Sequence, residues 1–123
     1  MLVDALGNPL KFLLTSGAAG DNPQAIPLLT GVQTREVLAD RGYDADATLA
    51  YIEQQLQATA TIPPKKSRVQ PRECDYVAYK ERHLVECCIG TLKHFRRIAT
   101  RFDKYASRFL AFIHFASTFL WLK

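Results

Sequence analysis

The chain contains few cysteines and no pattern that would join them into a framework. Its 123 residues include Cys74, Cys87 and Cys88, and no Cys-x-x-Cys pair. An odd count with two adjacent cysteines argues against a disulfide framework and fits a reducing cytosol. A zinc site of Cys74 with His83 or His94 lacks the usual ligand spacing, so buried thiols are the simpler interpretation.

We expect neither a leader nor a membrane-spanning segment. Met1 runs directly into an apolar, strand-like stretch with no basic segment before it. The most apolar run, residues 109–122, falls short of the ~20 residues of a membrane span and includes His114 and Ser117. We expect this run to form a buried core helix, and we expect no membrane partner.

Acidic and basic residues are unevenly distributed along the chain. The net charge is +4, the pI is about 9.1 and the first 60 residues contain few cations. A polyanionic partner would account for a basic second half, although a solvated basic surface is the plainer alternative. The cations of this half include Lys65, Lys66, Arg68, Arg72, Lys93, Arg96, Arg97, Arg101, Lys104 and Arg108.

Hydrophobic periodicity and turn residues predict one α/β domain over residues 1–123 with the order β-β-α-β-α-β-α-α. The 48% hydrophobic content is enough for a packed core. Asn22 is the expected N-cap of the first helix, and Asp44 or Asp46 that of the second. The predicted elements are a hairpin of residues 2–6 and 10–15, a helix at 23–29, a strand at 36–39, a turn at 41–43, a helix ending near 57, a strand at 59–62, a basic linker at 65–74, a long helix at about 76–100, a break near 102–103 and a last helix at about 105–122.

Two carboxylates occupy positions that suit metal chemistry. Asp40 follows a predicted strand, where an α/β sheet places functional groups. Glu86 lies on the predicted long helix in a stripe with Tyr79, Arg82 and Lys93, because offsets of three, seven and fourteen residues fall within ~60° on a helical wheel. Carboxylates flanked by cations suit a metal ion held against a nucleic-acid phosphate.

The opposite face of the predicted long helix is apolar and is expected to pack inward. Its members are Leu84, Val85, Cys88, Leu92, Phe95 and Ala99. Taken singly, the polar residues have plainer explanations. Asp40 could be a turn or cap residue, Glu86 could be solvated or paired with Arg82 four residues earlier, and Arg96, Arg97 and Arg101 could complement a helix C-terminus.

The combination of Tyr-x2-Arg-x3-Glu-x6-Lys with Ala-Asp-Arg-Gly-Tyr-Asp resembles the signature of DDE transposases of the insertion-sequence-four and insertion-sequence-five superfamily, the insertion-sequence-five type in particular. The resemblance extends over nearly the whole chain. It is carried, in order, by DALGNPLKFLLTSG, LADRGYDAD, IPPKKSR, YKERHLVECCIGTLKHFRRIATRFDK and FLAFIHFASTFLWL.

The resemblance implies roles for individual residues. Asp40 matches the second catalytic Asp and Glu86 the catalytic Glu, both as ligands of Mg²⁺ or Mn²⁺. Tyr79, Arg82 and Lys93 match the partners that engage the DNA of the element's end, and a DNA interface would extend to neighbouring cations. Arg96 and Arg97 are the cations expected to extend it.

The implied fold is ribonuclease-H-like, and the implied activity is metal-dependent cleavage and strand transfer of DNA. The implied partners are the transposon ends and target DNA, with a homodimer on DNA and a cytoplasmic, nucleoid-associated location. The chain begins at the hairpin that follows the family's first catalytic strand. We therefore expect a truncated or frame-shifted part that lacks this strand and its Asp, for which Asp4 and Asp21 are poor substitutes.

Two further hypotheses remain open. A non-catalytic DNA-binding fragment could recognise transposon ends or compete for them. The residues it would use are Tyr79, Arg82, Lys93, Arg96 and Arg97. A remnant that does not fold stably is the blandest alternative. DNA affinity that survives Glu86→Gln favours the former, and protease resistance argues against the latter.

Overall fold

A tight hairpin opens the chain. In the computed structural model, which describes residues 1–16, 18–100 and 104–122, strands β1 (Leu2–Val3) and β2 (Pro9–Lys11) pair antiparallel. Asp4 holds the turn, because its Oδ1 accepts from the N–H groups of Leu6 and Asn8 at 2.9 Å and its Oδ2 from Asn8 Nδ2 at 3.1 Å. Gly7 adopts a φ of +85°, which favours glycine. The predicted hairpin is confirmed, with shorter strands.

The described residues divide into two units. Residues 1–16 and 83–122, without the undescribed 101–103, form what we call the terminal unit, and residues 18–82 form the central unit. Each unit contains one two-stranded sheet together with helices. The α/β class is therefore confirmed, but the described strands form two small sheets rather than the single sheet that the alternating pattern predicted.

The core of the terminal unit lies between the hairpin and three helices. These are α4 (His83–Leu92), α5 (Arg96–Thr100) and α6 (Ala106–Trp121). Their numbers follow the order of the chain, in which the three helices of the central unit come first. Cys88, Leu92 and Ala116 are fully buried there, and side chains of the hairpin pack against them. The indole Nε1 of Trp121 donates to the carbonyl of Pro9 at 2.8 Å, which joins the end of α6 to β2.

The central unit contains the strands that lead to the candidate site. It comprises α1 (Ala25–Leu29), β3 (Glu36–Leu38), α2 (Asp46–Ala50), β4 (Thr59–Thr61) and α3 (Tyr76–Tyr79). Strands β3 and β4 pair in parallel, with Val37 opposite Ala60, and Ile52 and Ile62 are almost fully buried. The crossover between β3 and β4 contains a 3₁₀ turn and α2, consistent with the long connection that parallel strands need.

Both predicted helix caps in the central unit are wrong. Residues Asn22–Gln24 form a 3₁₀ turn, and the Asn22 side chain accepts a hydrogen bond from Thr48 Oγ1 at 3.0 Å instead of capping. Ala45 is the N-cap of α2, and its methyl side chain cannot cap the helix. Asp44 is buried instead of capping, and Asp46 is the first residue of the helix. The helix continues as a π-helical turn, Tyr51–Gln55, and Gln57 takes a φ of 51°.

The predicted long helix is broken twice. A 3₁₀ turn, Lys80–Arg82, separates α3 from α4, and turns at His94 and Phe95 separate α4 from α5. Cys88 and Leu92 are buried as predicted, and Phe95 packs against the core. Ala99 is exposed, because the turn before α5 changes the direction of the helix axis. The predicted break at residues 102–103 lies outside the described residues.

The final helix is confirmed but is only partly a core helix. Phe109, Ile113, Ala116 and Ser117 are buried along one face of α6. Aromatic side chains on the neighbouring face are exposed instead. Within the described ranges, none of the helices has the length and apolar character needed to cross a membrane.

Candidate functional site

Asp40 lies just beyond the carboxyl end of β3, as predicted. It is half-buried and is the N-cap of a 3₁₀ turn, Arg41–Tyr43, whose Gly42 N–H donates to Asp40 Oδ1 at 3.0 Å. The turn is closed by the Tyr43 N–H, which donates to the Asp40 carbonyl at 3.0 Å. The cap role that the sequence left open is therefore real, and it uses only one carboxylate oxygen.

Asp21 and Tyr43 share the surroundings of Asp40. A Cβ atom built on Gly42 would lie 3.1 Å from Asp40 Oδ1 and 4.0 Å from Asp21 Oδ2, so both carboxylates border the glycine. Burial raises the pKa of the Tyr43 phenol, and the negative charges of Asp21 and Asp40 raise it further. Two carboxylates near a neutral phenol give the end of β3 a negative potential.

Asp44, which the sequence predicts as a possible helix cap, is instead a buried ion-pair partner. Its carboxylate is buried, and its Oδ2 accepts from Arg68 Nε at 2.6 Å and from the Lys65 N–H at 2.7 Å. Arg72 Nη2 lies 3.5 Å from the other oxygen and donates to the Ile62 carbonyl at 2.8 Å. Burial opposes ionisation, but these hydrogen bonds and the two guanidinium charges outweigh it, and the pKa of Asp44 is lowered.

This arrangement changes the interpretation of the basic linker. Arg68 and Arg72 neutralise Asp44, and Arg68 Nη1 also lies 3.0 Å from Asp46 Oδ1. Lys66 is exposed at the surface. Half of the linker's four cations therefore serve the fold, which is a role that charge counting could not assign.

Tyr79 and Arg82 are brought together within the central unit. Tyr79 ends α3, and Arg82 is the last residue of the following 3₁₀ turn, where residues three apart lie on one side. The Arg82 guanidinium carbon is 5.4 Å from the centre of the Tyr79 ring, within cation–π range. This half of the predicted stripe therefore forms a defined contact.

Glu86 and Lys93 belong to the terminal unit. Glu86 is exposed in the first turn of α4, and Lys93 follows the last residue of that helix. The Lys93 N–H still donates to the Ile89 carbonyl at 3.0 Å, so helical geometry continues to Lys93. Seven residues make about two turns, which places these two side chains on one side of α4.

Arg96 and Arg97 open α5 and are both exposed. Their expected role as complements to the C-terminus of one long helix is not supported, because the chain turns before Arg96 and begins a new helix there. The Arg97 guanidinium carbon instead lies 5.0 Å from the centre of the Phe112 ring. Arg101 lies outside the described residues.

The three thiols differ in environment. None of the three is part of a disulfide; Cys88 is buried, Cys74 is half-buried and Cys87 is exposed. Burial raises the pKa of Cys74. The buried-thiol interpretation therefore holds for Cys88 and is wrong for Cys87.

The donor chemistry at Asp40 fits a hard cation. Mg²⁺ and Mn²⁺ prefer carboxylate oxygens, and Asp40 Oδ2 takes no part in the cap. Across the described ranges, no three His, Cys, Asp or Glu side chains converge as a complete ligand set. Asp40 is in the central unit and Glu86 in the terminal unit.

The central unit therefore provides an acidic strand end and a Tyr–Arg contact, and the terminal unit an exposed helical carboxylate with exposed cations. Comparisons with known proteins then identify the family. A family model described as "Transposase DDE domain" matches residues 37–123. The chain is also 43% identical, over 99% of its own length and 95% of the relative's, to a Brucella ovis protein named "Putative transposase for insertion sequence element IS6501". No solved structure matches.

The chain therefore belongs to the DDE transposase family. The family match confirms the resemblance drawn from the signature. The family model begins within β3, at Val37, and covers Asp40, the linker and all residues of the stripe. The hairpin of residues 2–11 lies outside the family model but inside the similarity to the Brucella protein.

Proposed function

We propose that the chain functions in the transposition of a bacterial insertion sequence, as a DNA-binding and metal-binding part of a DDE transposase. The name of the Brucella relative points to an insertion sequence, and the family points to DNA as substrate. The observation that carries the proposal is the position of Asp40. It follows a strand of a parallel pair, caps a 3₁₀ turn and keeps one oxygen outside that cap.

Asp40 and Glu86 would hold Mg²⁺ or Mn²⁺. When bound, such ions supply charge neutralisation and an activated oxygen nucleophile for phosphodiester chemistry. The chain's own contribution is to orient Asp40 through the Gly42 N–H and to keep Glu86 exposed on α4. Asp4 is a poor third ligand, because both of its oxygens accept hydrogen bonds within the hairpin.

DNA binding would use the cationic residues of the stripe and of α5. Lys93, Arg96 and Arg97 are exposed, and Arg82 is held by Tyr79. Their charges would neutralise phosphates of transposon ends and target DNA. The proposal includes a ribonuclease-H-like arrangement and a homodimer on DNA, both inferred from the family.

A non-catalytic DNA-binding fragment is the second candidate. It requires only the exposed cations and the contact between Tyr79 and Arg82. Such a fragment would still recognise transposon ends or compete for them. It differs from the first candidate in needing no metal.

Metal binding by the full chain separates the two candidates. The probe is Mn²⁺, with free ion followed by electron paramagnetic resonance. Asp40→Asn isolates the effect of the charge, because the amide oxygen can still accept from the Gly42 N–H and preserve the cap. Glu86→Gln is its counterpart on α4, and Glu53→Gln, an exposed carboxylate on the π-helical turn, is the matched control.

The transposase proposal expects Mn²⁺ binding that Asp40→Asn and Glu86→Gln each weaken at least tenfold and that Glu53→Gln leaves unchanged. DNA affinity measured without metal should change little in all three. DNA binding without any site-dependent Mn²⁺ binding would favour the fragment. A chain that binds neither Mn²⁺ nor DNA would overturn both candidates.

A further inference from the structure

An exposed aromatic face on α6 has no role in the proposed metal site. Phe112, Phe115 and Phe119 follow one another at intervals of three and four residues and so lie on one side of the helix. Phe115 is 60% exposed and Phe119 49% exposed. We call these three rings, with Phe95 beside them, the aromatic face.

The rings of the aromatic face form a continuous series. Phe115 contacts Phe119 edge-to-face at a centroid distance of 5.4 Å and Phe112 at 6.2 Å. Phe95 lies 6.2 Å from Phe119 and 6.4 Å from Phe112. Each ring is held by its neighbours, so a planar ligand would meet a surface that is already ordered.

Positive charge borders the aromatic face. The Arg97 guanidinium carbon lies 5.0 Å from the centre of the Phe112 ring, and Arg96 is exposed beside it in the sequence. After Glu86 the sequence contains seven Lys and Arg residues and a single acid, Asp103. The net positive charge of this segment is therefore larger than the net charge of the entire chain, +4.

The charge selects among the partners that an aromatic surface could accept. A second copy docked through the same face would oppose like charges, which disfavours a symmetric dimer there. A nucleic acid satisfies both features, because phosphates neutralise the cations and bases stack on aromatic rings. Bases within a continuous duplex are already stacked, so the rings can reach only an unpaired base.

We propose that the aromatic face, together with Arg97, binds unpaired DNA bases, such as those exposed at a nicked or melted DNA end. This proposal rests on the proposed function, since it assumes that DNA is the partner. It assigns α6 a part in recognition that is separate from phosphate neutralisation. It also accounts for large apolar rings left at the surface of a helix that otherwise packs inward.

The test uses the full chain and two labelled probes: a single-stranded oligonucleotide containing 2-aminopurine, and a continuous duplex of the same sequence. Stacking on a ring quenches 2-aminopurine fluorescence, whereas phosphate contacts do not. The variants are Phe115→Leu with Phe119→Leu, which keep apolar bulk, and Phe115→Tyr, which keeps the ring. Leu6→Ala is the control, since Leu6 is an 83% exposed apolar residue in the hairpin turn of the same unit, away from α6 in the sequence.

We expect the wild type to quench 2-aminopurine, and the double Leu variant to lose quenching and bind the single strand about tenfold more weakly. Duplex affinity should stay within twofold, and Phe115→Tyr and Leu6→Ala should behave as wild type. Equal losses on both probes, unchanged single-strand binding, or absence of wild-type quenching would overturn the proposal. If light scattering shows that the wild type is a dimer and the double Leu variant a monomer, the aromatic face binds a second copy of the chain, and the proposal is wrong. A wild type that binds neither probe would refute the proposed function itself.

Discussion

Asp44 and Arg68 form a buried ion pair that fastens the basic linker to the central unit. The carboxylate is 2% exposed, and Arg68 Nε lies 2.6 Å from its Oδ2. The Lys65 N–H bonds the same oxygen, and Arg72 approaches the other. The chain between β4 and α3 is therefore shaped by one carboxylate, although it has no regular secondary structure over residues 65–74.

Asp44→Asn should destabilise the protein by about 3 kcal/mol, measured as the free energy of unfolding in urea. The substitution retains the size of the side chain but leaves two guanidinium groups facing a neutral amide. Asp46→Asn is the matched control, since Asp46 also pairs with Arg68 but its side chain is 91% exposed, and its loss should stay below ~1 kcal/mol. Similar losses in both variants would contradict a buried anchor.

The lowered pKa of Asp44 makes stability depend on pH in a defined direction. Because the folded pKa lies below the unfolded value, the contribution of Asp44 is fully present above the unfolded pKa, and it is lost as the pH falls through the folded pKa. The pKa of Asp4 is also lowered, because its burial is outweighed by hydrogen bonds within the hairpin, so Asp4 contributes to stability with the same pH dependence. We expect the stability difference between wild type and Asp44→Asn to be constant from pH 6 to 8 and to shrink below about pH 4. A difference that grows on acidification would refute this assignment.

Gly42→Ala should weaken Mn²⁺ binding without unfolding the chain. The added Cβ would lie 3.1 Å from Asp40 Oδ1, so the carboxylate must move by a few tenths of an ångström. We expect a several-fold loss of Mn²⁺ affinity with an unchanged melting temperature. Gly20→Ala, where the nearest atom is 3.8 Å away in Pro23, should alter neither property. Equal Mn²⁺ affinity for the two variants would show that Gly42 does not position Asp40.

Local patterns were sufficient to predict several parts of this fold. The hairpin, both strands of the parallel pair, the turn after Asp40 and the last helix follow from turn residues and apolar periodicity. The signature residues were found because their spacing is fixed along the chain. The family comparison confirms the family, whereas the roles of Asp40 and Glu86 stay predictions.

Nonlocal contacts explain what the sequence did not reveal. The sequence predicts Asp44 as a helix cap because its partner Arg68 is 24 residues away, and no local pattern indicates that the two side chains pair. The long helix was predicted unbroken because Lys80, Glu81 and Arg82 are good helix formers, yet they form a 3₁₀ turn. The exposure of Phe115 and Phe119 was missed because apolar composition alone does not indicate which side of α6 is covered.

The salt dependence of duplex binding should reveal which cations contact phosphate. Each phosphate contact adds ~0.9 to the magnitude of the slope of log affinity against log salt. We expect Lys93→Ala and Arg96→Ala each to reduce that slope by about one, since both side chains are exposed in the terminal unit. Arg35→Ala removes an exposed cation from the central unit, outside the stripe, and should leave the slope unchanged. If all three variants reduced the slope equally, the interaction would reflect net charge rather than a defined interface, and the stripe would lose its assigned role.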